Sequence, residues 1–172
     1  MAGMTRLAPL HLLTGAPGVG KTTLLPYLLE AAGGVVVADM DELLDDGNLL
    51  GVPIAVPEAA PVWPAYNRMW GRVVGLPRRA GHPVVLLCPV PDADEIPDGA
   101  LWDGPIRWAL LDCADDLRVR RLQARGWTQD LVDDALADAG QGRSLIPTVF
   151  STDDQDPRAL AERVLAWARG CA

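Results

Sequence analysis

Residues 15–22, GAPGVGKT, match the pattern GxxxxGK[ST] at every fixed position. The glycines of this pattern let backbone N–H groups point into one small concavity, and the following helix adds its positive N-terminal end. Lys21 supplies a mobile cation for β- and γ-phosphates, and Thr22 supplies a hydroxyl oxygen for Mg²⁺. We therefore predict a loop that binds the triphosphate of ATP, or of a close relative, together with Mg²⁺. The predicted nucleotide contacts of this segment are Gly15, Ala16, Pro17, Gly18, Val19, Gly20, Lys21, Thr22 and Thr23.

Two acids follow the apolar run of residues 35–38, in the order Asp39-Met40-Asp41. They would lie at the carboxyl end of a strand, where open α/β sheets bind their ligands. One acid could hold Mg²⁺ through water, and the other could accept a proton from an attacking hydroxyl. Alternatively, Asp41 with Glu42 could cap a helix near residues 41–44. The apolar run of residues 84–88 ends without an acid, which favours Asp39 or Asp41 as the acid near the metal.

Two arginines, Arg121 and Arg125, are four residues apart and would share one face of a helix. One could stack on adenine, and the other could reach the triphosphate. The alternative is a solvated basic face that pairs with Asp115 and Asp116. Arg143, between two predicted elements, could come from a mobile lid.

Aromatic residues at helical spacing suggest an acceptor pocket in residues 63–70. Trp63 and Tyr66 could form its walls, and Asn67 could offer a hydrogen bond. The alternative is a buried core stripe, which we favour for Trp70 because indoles usually pack against the sheet. His11, inside the first apolar run, is expected to be structural.

The 172 residues fit one domain, and the 49% hydrophobic content allows a sizeable core. The net charge of −8 disfavours nucleic acid as the main partner. The apolar N-terminal stretch is read as a first strand and not as a signal peptide. No segment approaches the roughly 20 apolar residues that span a bilayer. We expect a cytoplasmic monomer or homodimer without membrane contact.

Apolar runs alternate with amphipathic ones along the chain. Strands are predicted at 7–13, 35–38, 84–88, 106–112 and 147–150. Helices are predicted at 21–32, 63–80, 114–125 and 128–139. A last helix is predicted to begin at Asp156-Pro157, with proline at its first position. Continuous apolar strands with helices between them favour an α/β domain with a parallel sheet covered on both faces. We place residues 1–172 in that single domain.

The order of these motifs resembles the small P-loop kinases related to adenylate, shikimate and gluconate kinases. It also resembles bacterial proteins labelled AAA-family ATPase or nucleoside-kinase-like. The resemblance rests on GAPGVGKT at 15–22, DMD at 39–41, RLQAR at 121–125 and a last strand that enters Ser151-Thr152. It implies the three-layer P-loop NTPase fold, with five parallel strands in the order 2-3-1-4-5. It also implies a substrate-covering region at about 42–80 and a short lid at about 126–144.

The resemblance further implies residue roles. By likeness to shikimate kinase, Asp39 and Asp41 match the acids that serve magnesium and the acceptor hydroxyl. By likeness to adenylate and gluconate kinases, Arg121 and Arg125 match the arginines around adenine and phosphates. Thr152, in the loop from Ser151 to Asp154, would pass the adenine edge. Lys21, Asp39, Asp41 and Arg125 would then be the catalytic residues.

The chain also departs from these kinases after its third predicted strand. It lacks there the Gly-rich turn of shikimate kinase and the arginine with which adenylate kinase grips a monophosphate, although Arg68 or Arg72 could replace the latter. We predict transfer of the γ-phosphoryl group of ATP to a hydroxyl of a small molecule. The alternatives are a nucleoside monophosphate kinase, an ATP-binding regulatory module with little turnover, and a polynucleotide 5′-hydroxyl kinase, which the acidity disfavours.

Overall fold

The computed structural model describes residues 7–54, 57–93, 95–98 and 102–170. The strands are β1 Leu10–Thr14, β2 Val36–Asp39, β3 Asn48–Leu49, β4 Val52–Pro53, β5 Val84–Cys88, β6 Ile106–Asp112 and β7 Val149–Ser151. Five of them form one parallel sheet in the order β2-β5-β1-β6-β7. Numbered among these five strands alone, this is the predicted order 2-3-1-4-5, which is confirmed.

The helices are α1 Lys21–Ala31, α2 Trp63–Arg79, α3 Glu95–Asp98, α4 Asp115–Ala124, α5 Gln129–Leu145 and α6 Pro157–Arg169. Short 3₁₀ helices cover Met40–Leu43 and Pro57–Ala59. One core cluster joins α1 and α6 to one face of the sheet, and a second joins α2 to the opposite face. The predicted α/β fold with helices on both faces is therefore confirmed.

The strands form where the sequence is continuously apolar. All five residues of β5 are buried, as expected for a central parallel strand covered on both faces. Neighbouring residues of β1 serve opposite faces, because side chains alternate along a strand. Leu13 belongs to the core under α1 and α6, and Leu12 belongs to the core under α2.

Helix α5 is longer than predicted, since it continues past residue 139 to Leu145. A Cβ atom at Gly142 would lie 2.8 Å from Cδ1 of Leu110, so this glycine allows close packing of α5 on β6 and does not end the helix. Arg143, predicted between two elements, instead lies in the last turn of α5. The β3–β4 hairpin was not predicted, because its paired segments are only two residues long.

The predicted start of the last helix is confirmed. The Asp156 carboxylate accepts a hydrogen bond of 3.2 Å from the Arg158 backbone N–H, and Pro157 occupies the first turn. This arrangement satisfies one of the N–H groups that have no partner inside the helix.

His11 is structural, as predicted, and it is fully buried in β1. Its ring meets the Trp167 ring edge-on, with 4.7 Å between centroids. Among the described residues, neither ring nitrogen has a hydrogen-bond partner. Burial lowers the pKa of His11 from 6.5 to about 4, because the charged ring would lose its hydration.

This histidine makes stability depend on pH. Between pH 6.5 and about 4, the unfolded chain binds a proton at His11 that the folded chain does not bind. The free energy of unfolding therefore falls as the pH falls through this window, by up to about 3 kcal/mol. We expect His11→Leu to lose this part of the pH dependence in urea unfolding measured from pH 7.5 to 4.

The exposed His82 provides the control. His82→Gln should keep the wild-type dependence of the unfolding free energy on pH. The carboxylates contribute equally to wild type and His11→Leu, so their contribution cancels when the two curves are subtracted. Equal pH dependence of the unfolding free energy in wild type and His11→Leu would contradict a lowered pKa of His11 in the folded protein.

Candidate functional site

The phosphate loop joins β1 to α1, as predicted. Gly18 and Gly20 have φ values of +81° and +101°, a left-handed conformation that glycine adopts without strain. Gly20 is the N-cap of α1, so the positive end of that helix faces the loop. The Lys21 ammonium donates a hydrogen bond to the Gly15 carbonyl oxygen. The loop can thus present backbone N–H groups and a lysine to one anion.

Arg118 of α4 supports this loop, a role that the sequence did not reveal. Its side chain is fully buried. Nη1 donates to the carbonyl oxygens of Ala16 at 3.3 Å and Pro17 at 2.8 Å, and Nη2 donates to Oδ1 of Asp112 at 2.8 Å. Because Arg118 binds the carbonyl oxygens of the loop, the N–H groups of the loop are left available for a ligand. The only sequence signal was an arginine on the helix after β6.

Arg143 completes an ion network beneath the loop. Its Nε lies 2.6 Å from Oδ2 of Asp112, and its Nη2 lies 2.7 Å from Oδ1 of Asp115. The Arg143 guanidinium lowers the pKa of Asp115, and these two carboxylates raise the pKa of Arg143. In the structure Arg143 ties α5 to the end of β6, in place of the mobile-lid position suggested for it.

Loss of Arg118 should destabilise the protein. Arg118→Met leaves two loop carbonyls without their donor and removes one partner of Asp112. We expect the free energy of unfolding to fall by about 3 kcal/mol. Chemical denaturation at pH 7 measures this change.

Arg120→Met is the matched control on the same helix. Arg120 pairs with Asp116 at 2.6 Å on the exposed surface, where water screens the attraction, so its loss should change the free energy of unfolding much less than the loss of Arg118. Similar losses in the two variants would contradict a supporting role for Arg118.

A cleft of about 370 Å³ lies beside the phosphate loop, between α1, α4 and the loop after β7. Its lining residues include the predicted nucleotide contacts Val19, Gly20, Thr23, Arg121, Arg125 and Thr152. We call it the nucleotide cleft.

The alternative required that Arg121 and Arg125 pair with Asp115 and Asp116, but neither arginine forms an ion pair with an acid in the described part of the chain. Arg121 Nη1 donates to the Gly18 and Val19 carbonyl oxygens, at 3.2 and 3.3 Å. Arg125 is exposed at the end of α4. The Thr152 hydroxyl donates to the Val19 carbonyl oxygen at 2.9 Å, which ties the loop after β7 to the phosphate loop.

The two acids at the carboxyl end of β2 have different environments. Asp39 is 6% exposed, and its Oδ1 accepts a 3.0 Å hydrogen bond from the Asp41 N–H. The Asp39 N–H donates to Oε2 of Glu42 at 2.8 Å, so Asp39 caps the 3₁₀ helix. The capping alternative therefore holds for Asp39, whereas it was assigned to Asp41 with Glu42. Burial raises the pKa of Asp39, and the Lys21 ammonium opposes this shift.

Asp41 is exposed and lines a second cleft with Lys21. This central cleft has a volume of about 730 Å³. Burial lowers the pKa of Lys21, and the carboxylates of Asp39 and Asp41 oppose this shift. The residues lining the central cleft are Gly15, Pro17, Lys21, Asp41, Leu44, Gly47, Ile54, Trp63, Pro89, Val90, Trp127, Leu131, Asp134, Ala135, Ala137 and Asp138.

A side pocket of about 330 Å³ adjoins the central cleft, and the two share Trp63, Pro89 and Val90. It lies at the carboxyl end of β5. Its other lining residues are Met40, Ala60, Asn67, Cys88, Pro91, Asp92, Glu95, Trp102 and Trp108. Together the two spaces can hold a small molecule beside the phosphate loop.

The predicted pocket aromatics separate into two groups. Trp63 and Asn67 line the cavities, as the pocket hypothesis required. Tyr66 does not line either cavity: its ring is 1% exposed and its hydroxyl donates to the Met40 carbonyl oxygen. Its prediction as a pocket wall is therefore corrected, because it anchors α2 to the 3₁₀ helix. Trp70 is 2% exposed and belongs to the core, as predicted.

Several lining residues were missed by sequence reasoning. Trp102, Trp108 and Trp127 line the cavities. Trp108 lies within the predicted strand 106–112, and no spacing in the sequence links these three residues to a common site. Arg68 and Arg72, suggested as phosphate-binding residues, are exposed on α2 and line neither cavity.

The oxygen donors near the loop suit magnesium. Thr22 is exposed in the first turn of α1, and Asp39 lies close enough to Lys21 to affect its pKa. Magnesium keeps several waters and phosphate oxygens, so one hydroxyl and one carboxylate suffice from the protein. Within the described residues, no group of three or more His, Cys, Asp or Glu side chains could enclose a metal ion.

The chain matches no known protein-family model and no curated protein. Its fold is similar to a sugar kinase from Janibacter sp. HTCC2649, with 22% identity, TM-score 0.63, and coverage of 96% of this chain and 95% of the other. It is similar to shikimate kinase from Acinetobacter baumannii, with 17% identity, TM-score 0.63 and coverage of 96% and 95%. It is also similar to a gluconokinase from Sinorhizobium meliloti 1021, with 18% identity, TM-score 0.62 and coverage of 97% and 95%.

The chain therefore has the fold of the small P-loop kinases. In the described ranges, no helix has the length and apolar character that crossing a bilayer requires.

Proposed function

We propose that this protein transfers the γ-phosphoryl group of ATP to a hydroxyl of a small molecule. The observation that carries the proposal is the central cleft. Lys21 of the phosphate loop and Asp41, which follows the carboxyl end of β2, both line this cavity. Such transfer depends on positioning and on neutralising charge more than on covalent chemistry. A cationic phosphate site beside a carboxylate supplies both requirements.

The nucleotide would extend from the phosphate loop into the nucleotide cleft. Backbone N–H groups of residues 15–22 and the Lys21 ammonium would bind the phosphates. Arg121, Arg125 and Thr152 would bind the base and the phosphates from the other side. Thr22 and Asp39 would hold Mg²⁺, which when bound neutralises charge on the β- and γ-phosphates.

The different exposure of the two acids supports different roles for them. Asp41 is exposed in the cleft, so we assign it to the acceptor hydroxyl. Asp39 is buried as a cap behind it, which suits an indirect contact with the metal through water. The acceptor oxygen forms a bond to the γ-phosphorus while the bond from that phosphorus to the β–γ bridging oxygen breaks. The hydroxyl proton passes to Asp41, and ADP leaves.

Two segments would cover the acceptor. Residues of about 42–80 contribute Leu44, Gly47, Ile54 and Trp63 to the central cleft. Residues of about 126–144 contribute Trp127, Leu131, Asp134 and Asp138. Exclusion of water by these covers would favour transfer over hydrolysis. A cytoplasmic setting, with ATP and Mg²⁺ at hand, fits this reaction.

Phosphorus NMR of purified protein with ATP, Mg²⁺ and a panel of hydroxyl compounds tests the proposal. We expect at least one compound to accelerate ADP formation and to yield a phosphate ester in equal amount. Nucleoside monophosphates belong in the panel, although neither Arg68 nor Arg72 lines the cleft to bind their phosphate. ATP consumption that is equal with and without every compound, with inorganic phosphate as product, would contradict a kinase.

A further inference from the structure

The charged side chains of the central cleft are mostly carboxylates. Asp41, Asp134 and Asp138 line it, and Lys21 is the one basic residue among its described lining residues. In the proposed reaction Lys21 is neutralised by the triphosphate. The acceptor side of the cleft therefore keeps an uncompensated negative charge.

The two α5 carboxylates have no basic partner inside the described structure. Asp134 and Asp138 are exposed to the cleft, and neither forms an ion pair with a described residue. Arg143 of the same helix is bound to Asp112 and Asp115. Partial burial and the nearby Asp134 charge raise the pKa of Asp138, and the more distant charges of Lys21 and Arg118 oppose this shift without forming an ion pair with it.

The side pocket, like the central cleft, is lined by carboxylates. Asp92 and Glu95 line it, and no basic residue occurs among its described lining residues. Trp63, Trp102 and Trp108 provide aromatic surface there. Indole faces attract organic cations, most strongly where water is excluded.

A metal ion explains these acids less well than an organic cation does. No three of the described acidic side chains converge as a metal site would require, so the carboxylates are spread around the cavity. Spread carboxylates and aromatic walls fit a cation on a carbon framework. An anionic acceptor would meet repulsion from the same groups.

We propose that the phosphoryl acceptor is a cationic amino alcohol, such as an amino sugar, held by Asp134, Asp138 and the tryptophan walls. This inference rests on the proposed function and specifies its substrate class. The hydroxyl oxygen of the acceptor forms the new bond to phosphorus and gives its proton to Asp41. The ammonium group keeps its proton and serves only in recognition.

Three ring compounds of matched shape provide the test. They are trans-4-aminocyclohexanol, cyclohexane-1,4-diol and trans-4-hydroxycyclohexanecarboxylate. All three carry a hydroxyl group, and the substituent opposite it on the ring is positive, neutral or negative, respectively. Dissociation constants are measured by tryptophan fluorescence at pH 7.5, with Mg²⁺ and a non-hydrolysable ATP analogue present. We expect the ammonium compound to bind about tenfold more tightly than the diol, and the carboxylate to bind most weakly.

The double variant Asp134→Asn/Asp138→Asn should reduce the preference for the ammonium compound to about twofold or less. The matched control is Asp130→Asn/Asp133→Asn, which removes the same charge from the same helix. Asp130 and Asp133 are exposed and line neither cavity. This control should keep the wild-type preference.

The inference is overturned if the diol or the carboxylate binds as tightly as the ammonium compound, or if none of the three binds. It is also overturned if both double variants change the preference equally. Binding of the ATP analogue is titrated first in every variant. Absent analogue binding would contradict the proposed function, whereas a missing preference beside intact analogue binding contradicts only the cationic acceptor.

Discussion

Lys21→Ala is expected to lower acceptor-dependent ADP formation by about 10²- to 10³-fold. The lysine is the basic side chain of the phosphate loop that lines the central cleft, so no described neighbour there can replace its charge. Its contribution should increase as negative charge develops on the transferred group. The measurement is kcat/KM for ATP in a coupled assay with the acceptor identified by the panel.

Arg68→Ala controls for the loss of one positive charge. Arg68 is exposed on α2 and lines neither cavity, so this variant should retain wild-type turnover. A thermal-unfolding midpoint of Lys21→Ala close to that of wild type would show that turnover is lost without a loss of stability. Turnover of Lys21→Ala within a few-fold of wild type would exclude the loop as the site of transfer.

Asp41→Asn is expected to lower kcat by about 10²- to 10⁴-fold, since the amide cannot accept the acceptor's proton. The KM for ATP should change little, because the proposed role of Asp41, which lines the central cleft, is toward the acceptor and not the nucleotide. Steady-state kinetics with both substrates varied separates these two quantities.

Glu162→Gln removes a carboxylate from the exposed surface of α6 and should leave kcat unchanged. A raised KM for ATP with an unchanged kcat in Asp41→Asn would place this acid with the nucleotide. It would then leave the reaction without an assigned base.

The phosphate loop could be predicted because its chemistry is local. A loop with the pattern of residues 15–22 binds phosphate mainly through backbone N–H groups, so glycine spacing and one lysine are enough to predict it from the sequence. The central strands were predictable for a similar reason. A strand buried on both faces must be apolar throughout, as β5 is.

Arg118 and Gly142 could not be read in the same way, because their roles depend on tertiary contacts. Arg118 looks like a surface arginine in the sequence, yet Asp112 and two loop carbonyls compensate its burial. Gly142 resembles a helix stop, yet it permits contact with Leu110 of β6. Only the packing of α4 and α5 distinguishes these alternatives.

The proposed acceptor side of the cleft was also beyond sequence reasoning. Asp134 and Asp138 look like ordinary solvent-exposed acids, and their meaning comes from the cavity that they line. Tyr66 shows the opposite error, since its helical spacing with Trp63 suggested a shared pocket although its hydroxyl is bound to Met40. The side of a helix that faces a cavity is set by the whole fold.

Isothermal titration of the protein with ATP and Mg²⁺ tests the central claim most directly, because it needs no acceptor. We predict one binding site per chain, with an affinity that falls at least about tenfold in Lys21→Ala and is unchanged in Arg68→Ala. No measurable binding by the wild-type protein, or equal affinity in wild type and Lys21→Ala, would contradict a triphosphate site on this loop.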